Sequence, residues 1–140
     1  MPRRRLLAIL ALLAMLSSLT LGALFWQQAP QQSLTSQATV HVTGSDWQWQ
    51  FSVVWPDGTI VESVGEAAVP AGIGLRFLVT SADVAYSAYI PALSVKIDAI
   101  PNHIAEFVFN GLPPADYLIR NVEFAGIQGI DMTAVLHVIA

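Results

Sequence analysis

From residue 38 onward the sequence predicts an all-β domain, a sandwich or Greek-key barrel of short strands. Three observations carry that reading. Apolar residues recur with period two in short runs, Pro/Gly turn signals separate the runs at regular spacing, and no window of helical period competes with them. Before residue 38 the pattern is of another kind, and the chain divides into three parts.

Residues 1–26 read as a membrane anchor. Leu6 to Trp26 contains no charged residue. At about 1.5 Å per residue such a helix spans about 30 Å, the thickness of a bilayer core. Arg3, Arg4 and Arg5 belong on the cytoplasmic side, and Phe25 and Trp26 suit the far interface. A cleaved signal peptide is the alternative, but its apolar region runs only about 7–15 residues. An uncleaved single-pass anchor is therefore expected, with everything after it on the periplasmic or extracellular side. Residues 27–37, polar and glutamine-rich with Pro30, read as a linker. Residues 38–140 form the domain.

Within the domain, Thr39 to Thr43 alternates cleanly, and Trp47, Trp49, Phe51 and Val53 form one face of the next strand. Pro56-Asp57-Gly58 is a turn signal, after which Thr59 to Glu62 returns. Val69 to Gly72 reads as another turn. Gly74 to Thr80 places Leu75, Phe77 and Val79 on one face. Ser87 to Pro91, Val95 to Ala99, Ile104 to Phe109, Tyr117 to Arg120 and Thr133 to Ile139 complete the set, with Pro113-Pro114 breaking the chain before the second-last strand.

Composition narrows function. With 54% hydrophobic residues and a mean hydropathy of +0.57, the chain is more apolar than an ordinary soluble protein, in part because of the anchor. There is no cysteine, which excludes disulfides, zinc–thiolate sites, thiol catalysis and iron–sulfur clusters. Beyond the three N-terminal arginines, three basic residues face ten acidic ones. Such a surface repels nucleic acid; it suits solubility or a basic protein partner. No Gly-x-Ser-x-Gly nucleophile motif and no phosphate-binding glycine loop occurs. His41, His103 and His137 lie far apart in sequence and read as ordinary packed or surface histidines.

The segment Arg120 to Met132, Arg-Asn-Val-Glu-Phe-Ala-Gly-Ile-Gln-Gly-Ile-Asp-Met, joins the last two strands, a place where sites are often built. It has the length, the glycine and the terminal methionine of a metal loop but no cysteine or histidine. Together with Thr80 to Leu93, with Val95 to Pro101 and with Gly44 to Phe51, it resembles subunit II of cytochrome c oxidase. The likeness covers roughly residues 38 to 140 and implies a cupredoxin-like fold. In that family the loop holds the dinuclear copper centre CuA.

The resemblance implies the ligand positions: Tyr86 and Gly129 for the two histidines, Asn121 and Ala125 for the two cysteines, Met132 for the methionine, and the Glu123 carbonyl. Only Met132 and the carbonyl remain. Because the copper pair needs soft bridging thiolates, no copper is expected, and Met132 reads as a packing methionine. The Glu123 side chain is either part of a magnesium site shared with a catalytic subunit or an ordinary loop acid, such as a partner of Arg120. Trp47 falls where electrons enter in the family; its other reading is a packing aromatic, with Trp49.

The function implied is a non-catalytic, copper-free subunit II-like component of a membrane haem-copper oxidoreductase, a terminal oxidase or nitric oxide reductase. It would cap the outer face of catalytic subunit I. Haem and copper are expected in that partner, and quinol or a cytochrome c as the donor to the complex. Quinol-oxidase subunits of this family usually carry two membrane helices, and the single one here departs from that. The alternatives are a free-standing membrane-anchored binding module and a degenerate copper carrier.

Overall fold

The computed structural model describes residues 38–140; the expected anchor and linker lie outside them. Ten strands make two five-stranded sheets packed face to face. They are β1 (Ala38–Ser45), β2 (Gln48–Val54), β3 (Ile60–Val64), β4 (Glu66–Pro70), β5 (Gly74–Ser81), β6 (Tyr86–Ile90), β7 (Val95–Ala99), β8 (Ala105–Asn110), β9 (Ala115–Asn121) and β10 (Thr133–Ile139). One sheet runs β3-β2-β1-β5-β8 and the other β4-β10-β9-β6-β7. Pairing is antiparallel except for β1 with β5 and β10 with β4. The all-β sandwich expected from the period-two runs is what forms. Among the described residues no helix is long and apolar enough to cross a membrane.

Alternation sets the core. In β1, Ala38, Val40 and Val42 point inward; in β5, Leu75, Phe77 and Val79; in β10, Ala134, Leu136 and Val138. Successive side chains of a strand face opposite ways, so one residue of slip would turn each of these sets to water. Phe77 meets Phe109 edge-on at 5.0 Å between ring centres. Trp49 is fully buried at the end of the core nearest the β9–β10 loop and meets Tyr86 edge-on at 6.0 Å.

Three local features differ from the sequence expectation. The turn expected at Val69–Gly72 begins later, because Glu66–Pro70 is a strand with Ala67 and Val69 inward. Pro70 is tolerated there as the last residue of an edge strand. Gly65, with a φ of 78°, carries the chain from one sheet to the other: its N–H bonds Trp49 and its carbonyl bonds Val135. Finally, β9 extends to Asn121, and the loop after it contains a short 3-10 turn, Ile127–Asp131.

Candidate functional site

The six positions implied as former copper ligands converge at one end of the sandwich. Asn121 ends β9, Tyr86 begins β6, and Met132 directly precedes β10. Antiparallel pairing sets Asn121 opposite Ala88, which brings its side chain beside Ser87. Its Oδ1 accepts from the N–H groups of Ser87 (2.9 Å) and Glu123 (3.1 Å). Its Nδ2 donates to the carbonyls of Glu123 (2.8 Å) and Gly129 (3.0 Å). One amide thus ties a strand, the start of the loop and the 3-10 turn together, with both of its ends satisfied. The Asn121 N–H donates to the Met132 carbonyl at 2.9 Å, and Met132 is buried.

Tyr86 is also buried. Its ring lies directly over Gly44, where a Cβ would overlap Tyr86 Cδ2. The hydroxyl donates to Asp83 Oδ2 at 3.1 Å and accepts from the Trp47 N–H at 3.4 Å. Burial, reinforced by the Asp83 carboxylate against that opposing N–H, pushes the phenol above its usual value. For Asp83, burial raises the carboxyl. The N–H groups of Asp46 and Val84 and the hydroxyls of Tyr86 and Ser81 outweigh it and hold the group below the usual carboxylate range.

Asp46 and Trp47 form the β1–β2 hairpin turn, both with positive φ (49° and 58°), as a two-residue turn between right-twisted strands requires. That conformation costs a non-glycine residue about 1–2 kcal/mol. Tertiary hydrogen bonds hold it: Asp46 N–H to Asp83 Oδ2 (2.8 Å) and Trp47 Nε1 to the Ala125 carbonyl (2.7 Å). Trp49 is a core residue, whereas Trp47 is partly exposed and fastened to the loop.

Above this hydrogen-bonded layer the loop presents apolar side chains to solvent. Phe124 is 84% exposed, Ile127 86% and Ile130 70%, with Val122 beside them. Glu123 is exposed; its Oε1 accepts from the Phe124 N–H at 3.3 Å, and no ion pair joins it to Arg120.

Residues 52–139 match the family model for the periplasmic domain of cytochrome c oxidase subunit II. The chain belongs to that family. Quinol oxidase subunit 2 of Bacillus cereus is 27% identical over 101 residues, 71% of this chain and 34% of the relative. Ubiquinol oxidase subunit 2 of Acetobacter aceti is 30% identical over 98 residues, 70% of this chain and 31% of the relative. The chain thus spans about a third of the length of these subunit II relatives. Among solved structures, the periplasmic domain of subunit II of cytochrome oxidase from Bradyrhizobium japonicum superposes with a TM-score of 0.62 at 27% identity, covering 75% of this chain and 86% of that one.

A dinuclear copper centre of the subunit II type does not fit the residues found here. The chain has no thiolate to bridge two metals. The Glu123 carbonyl already accepts from Asn121 Nδ2. A Cβ at Gly129 would lie 2.9 Å from the Ala125 Cβ and 3.2 Å from Asn121 Nδ2, so the space for an imidazole is closed. Among the described residues no three His, Cys, Asp or Glu side chains gather to hold a metal ion. His41 and His137 lie on different sheets, and His137 is engaged by Asp116 at 2.7 Å and Glu66 at 3.6 Å.

Asp83, Ser87 and Gly44 belong to this end of the domain and carry no role in the sequence reading. Ser87 is fully buried and donates to Asp98 Oδ1 at 2.7 Å. That bond, ahead of the Lys96 charge, keeps Asp98 below the usual carboxylate range. The only signal in the sequence was the Asp-x-x-x-Ser spacing from Asp83 to Ser87.

Proposed function

We propose that this chain is the copper-free subunit II-like component of a membrane haem-copper oxidoreductase and caps the outer face of its catalytic subunit. The observation that supports this most is the contrast within one loop. The inner layer, where the ligands would sit, is closed by the Asn121 amide. The outer layer keeps Phe124, Ile127 and Ile130 exposed, and a surface that apolar favours burial against a partner. Such a subunit carries no electrons through copper, so quinol or a cytochrome c would serve the catalytic subunit directly. The relatives include quinol oxidase subunits and cytochrome c oxidase subunits, in keeping with either donor. The anchor in residues 1–26 would hold the domain at the periplasmic face of the cytoplasmic membrane, and residues 27–37 would space it from the bilayer.

The Glu123 carboxylate is exposed at the rim of the same surface, bonded there by the Phe124 N–H. As a lone acid it cannot hold Mg²⁺ alone, but with waters and partner carboxylates it supplies one hard oxygen ligand. In the assembled complex Glu123→Gln is then expected to lower the signal of bound Mn²⁺ in electron paramagnetic resonance; an unchanged spectrum removes the magnesium role.

The test of the main reading is purification of the full chain from membranes in mild detergent. Co-elution with a many-helix subunit and haem absorbance is expected. Changing Phe124, Ile127 and Ile130 together to Ser should release the chain without unfolding the domain. Elution alone and free of haem would leave the free-standing binding module as the better account.

A further inference from the structure

Among the described residues Tyr86 is the one tyrosine whose hydroxyl donates to a carboxylate, Asp83 Oδ2 at 3.1 Å. Tyr117, the other buried tyrosine, donates to a backbone carbonyl, that of Pro113, which cannot keep a proton. The Tyr86 ring is 1% exposed and seated on Gly44, so water does not reach its faces. The nearest aromatic, Trp49, is equally buried, and its Nε1 has no hydrogen-bond partner.

These surroundings treat the two rings differently on loss of an electron. An oxidised Trp49 would be a buried cation with nothing to take its proton, a costly state in an apolar site. An oxidised Tyr86 becomes a strong acid already bonded to a base. Its proton crosses to Asp83 Oδ2 and leaves a neutral phenoxyl beside a neutral carboxylic acid. Asp83 can accept it without leaving its place, because the Val84 N–H and the Ser81 hydroxyl hold its other oxygen, Oδ1, while the Asp46 N–H bonds Oδ2 beside the phenol.

We propose that Tyr86 is a redox-active tyrosine, which gives one electron to a high-potential outer-sphere oxidant at the loop surface while its hydroxyl proton moves to Asp83. The oxidant is reduced by one electron, the O–H bond of Tyr86 breaks, and an O–H bond forms on Asp83. Return of one electron from a donor reverses each change. The surface is one residue away, since the backbone of the partly exposed Trp47 contacts the phenol oxygen at 3.4 Å.

The experiment uses the full chain in detergent and photogenerated tris(bipyridine)ruthenium(III) as oxidant, which ends as ruthenium(II). A neutral tyrosyl signal is expected in electron paramagnetic resonance. It should be lost in Tyr86→Phe and retained in Tyr89→Phe and Tyr117→Phe. Asp83→Asn keeps one acceptor oxygen for the neighbouring N–H groups but removes the base, and should slow radical formation by about tenfold or more. Formation in the parent protein should also be slower in D₂O than in H₂O, a readout that needs no substitution. A tyrosyl signal that survives Tyr86→Phe, a rate indifferent to Asp83→Asn, or equal rates in the two solvents would each overturn the proposal.

Discussion

Asn121 does by hydrogen bonding what a metal does by coordination: it cross-links segments distant in sequence. Removing its amide leaves two N–H groups and two carbonyls short of partners at a buried position. Asn121→Ala is therefore expected to lower unfolding stability by about 2–4 kcal/mol in urea titration; a loss under ~1 kcal/mol would show that water replaces the amide freely. The sequence identified Asn121 as a missing ligand but not as a cross-link, because Ser87 lies 34 residues away and only the fold joins them. His137 gives a second expectation. The Asp116 bond first, and then Glu66, raise its pKa above the ordinary histidine value of about 6.5. A raised histidine stabilises fully below the unfolded value and loses that contribution as pH climbs through the folded one. Unfolding stability of the soluble fragment 27–140 should thus fall as pH rises above about 6.5, and His137→Gln should flatten that slope. An NMR titration placing His137 at or below its ordinary value would refute it.

At the scale of elements, strands with strong alternation were legible and weak ones were not. Runs such as Leu75, Phe77 and Val79 declare an inward face, whereas β4 offers only Ala67 and Val69 ahead of a proline and a glycine, which read as a turn. The 3-10 turn from Ile127 to Asp131 has no helical period to announce it; it follows from the tertiary bonds that Asn121 makes to the loop. The β1–β2 hairpin is a similar case. Asp46-Trp47 lacks the glycine usual for two positive-φ positions, and its geometry depends on Asp83 and Ala125. The contact between β1 and β6 at Gly44 and Tyr86 gives the prediction at this scale. Gly44→Ala should destabilise the domain by about 1–3 kcal/mol, since the new methyl overlaps a ring held in a packed core. In Tyr86→Ala the ring is gone, and adding Gly44→Ala there should cost little. A double-mutant cycle with a coupling below about 0.5 kcal/mol would mean that the ring simply slides aside.

For the whole molecule, the sequence made the sandwich and its family legible because three ordered motifs fall on strands and loops in the order the fold needs. What it did not disclose is how that end of the sandwich is closed: a tyrosine over a glycine, an asparagine on a carbonyl, two small residues pressed together. That closure bears directly on copper. The soluble fragment 27–140 should be colourless and bind no stoichiometric Cu²⁺, for want of thiolates. The combined change Tyr86→His, Asn121→Cys, Ala125→Cys and Gly129→His supplies the full ligand set around Met132 and the Glu123 carbonyl. It also removes the amide that now occupies that carbonyl, so one substitution clears the site and furnishes a thiolate. The cost falls at residue 129, whose Cβ would sit 2.9 Å from that of residue 125; the loop has to open before the imidazole fits. The metal-free variant should therefore unfold at a lower temperature than the parent, having lost both the Asn121 cross-link and the Tyr86–Asp83 bond. Copper should raise that temperature by binding the folded state alone, with a purple colour and the delocalised spectrum of a mixed-valence pair. Tight copper binding by the unmodified fragment would overturn the missing-ligand argument and restore the copper carrier as the better reading.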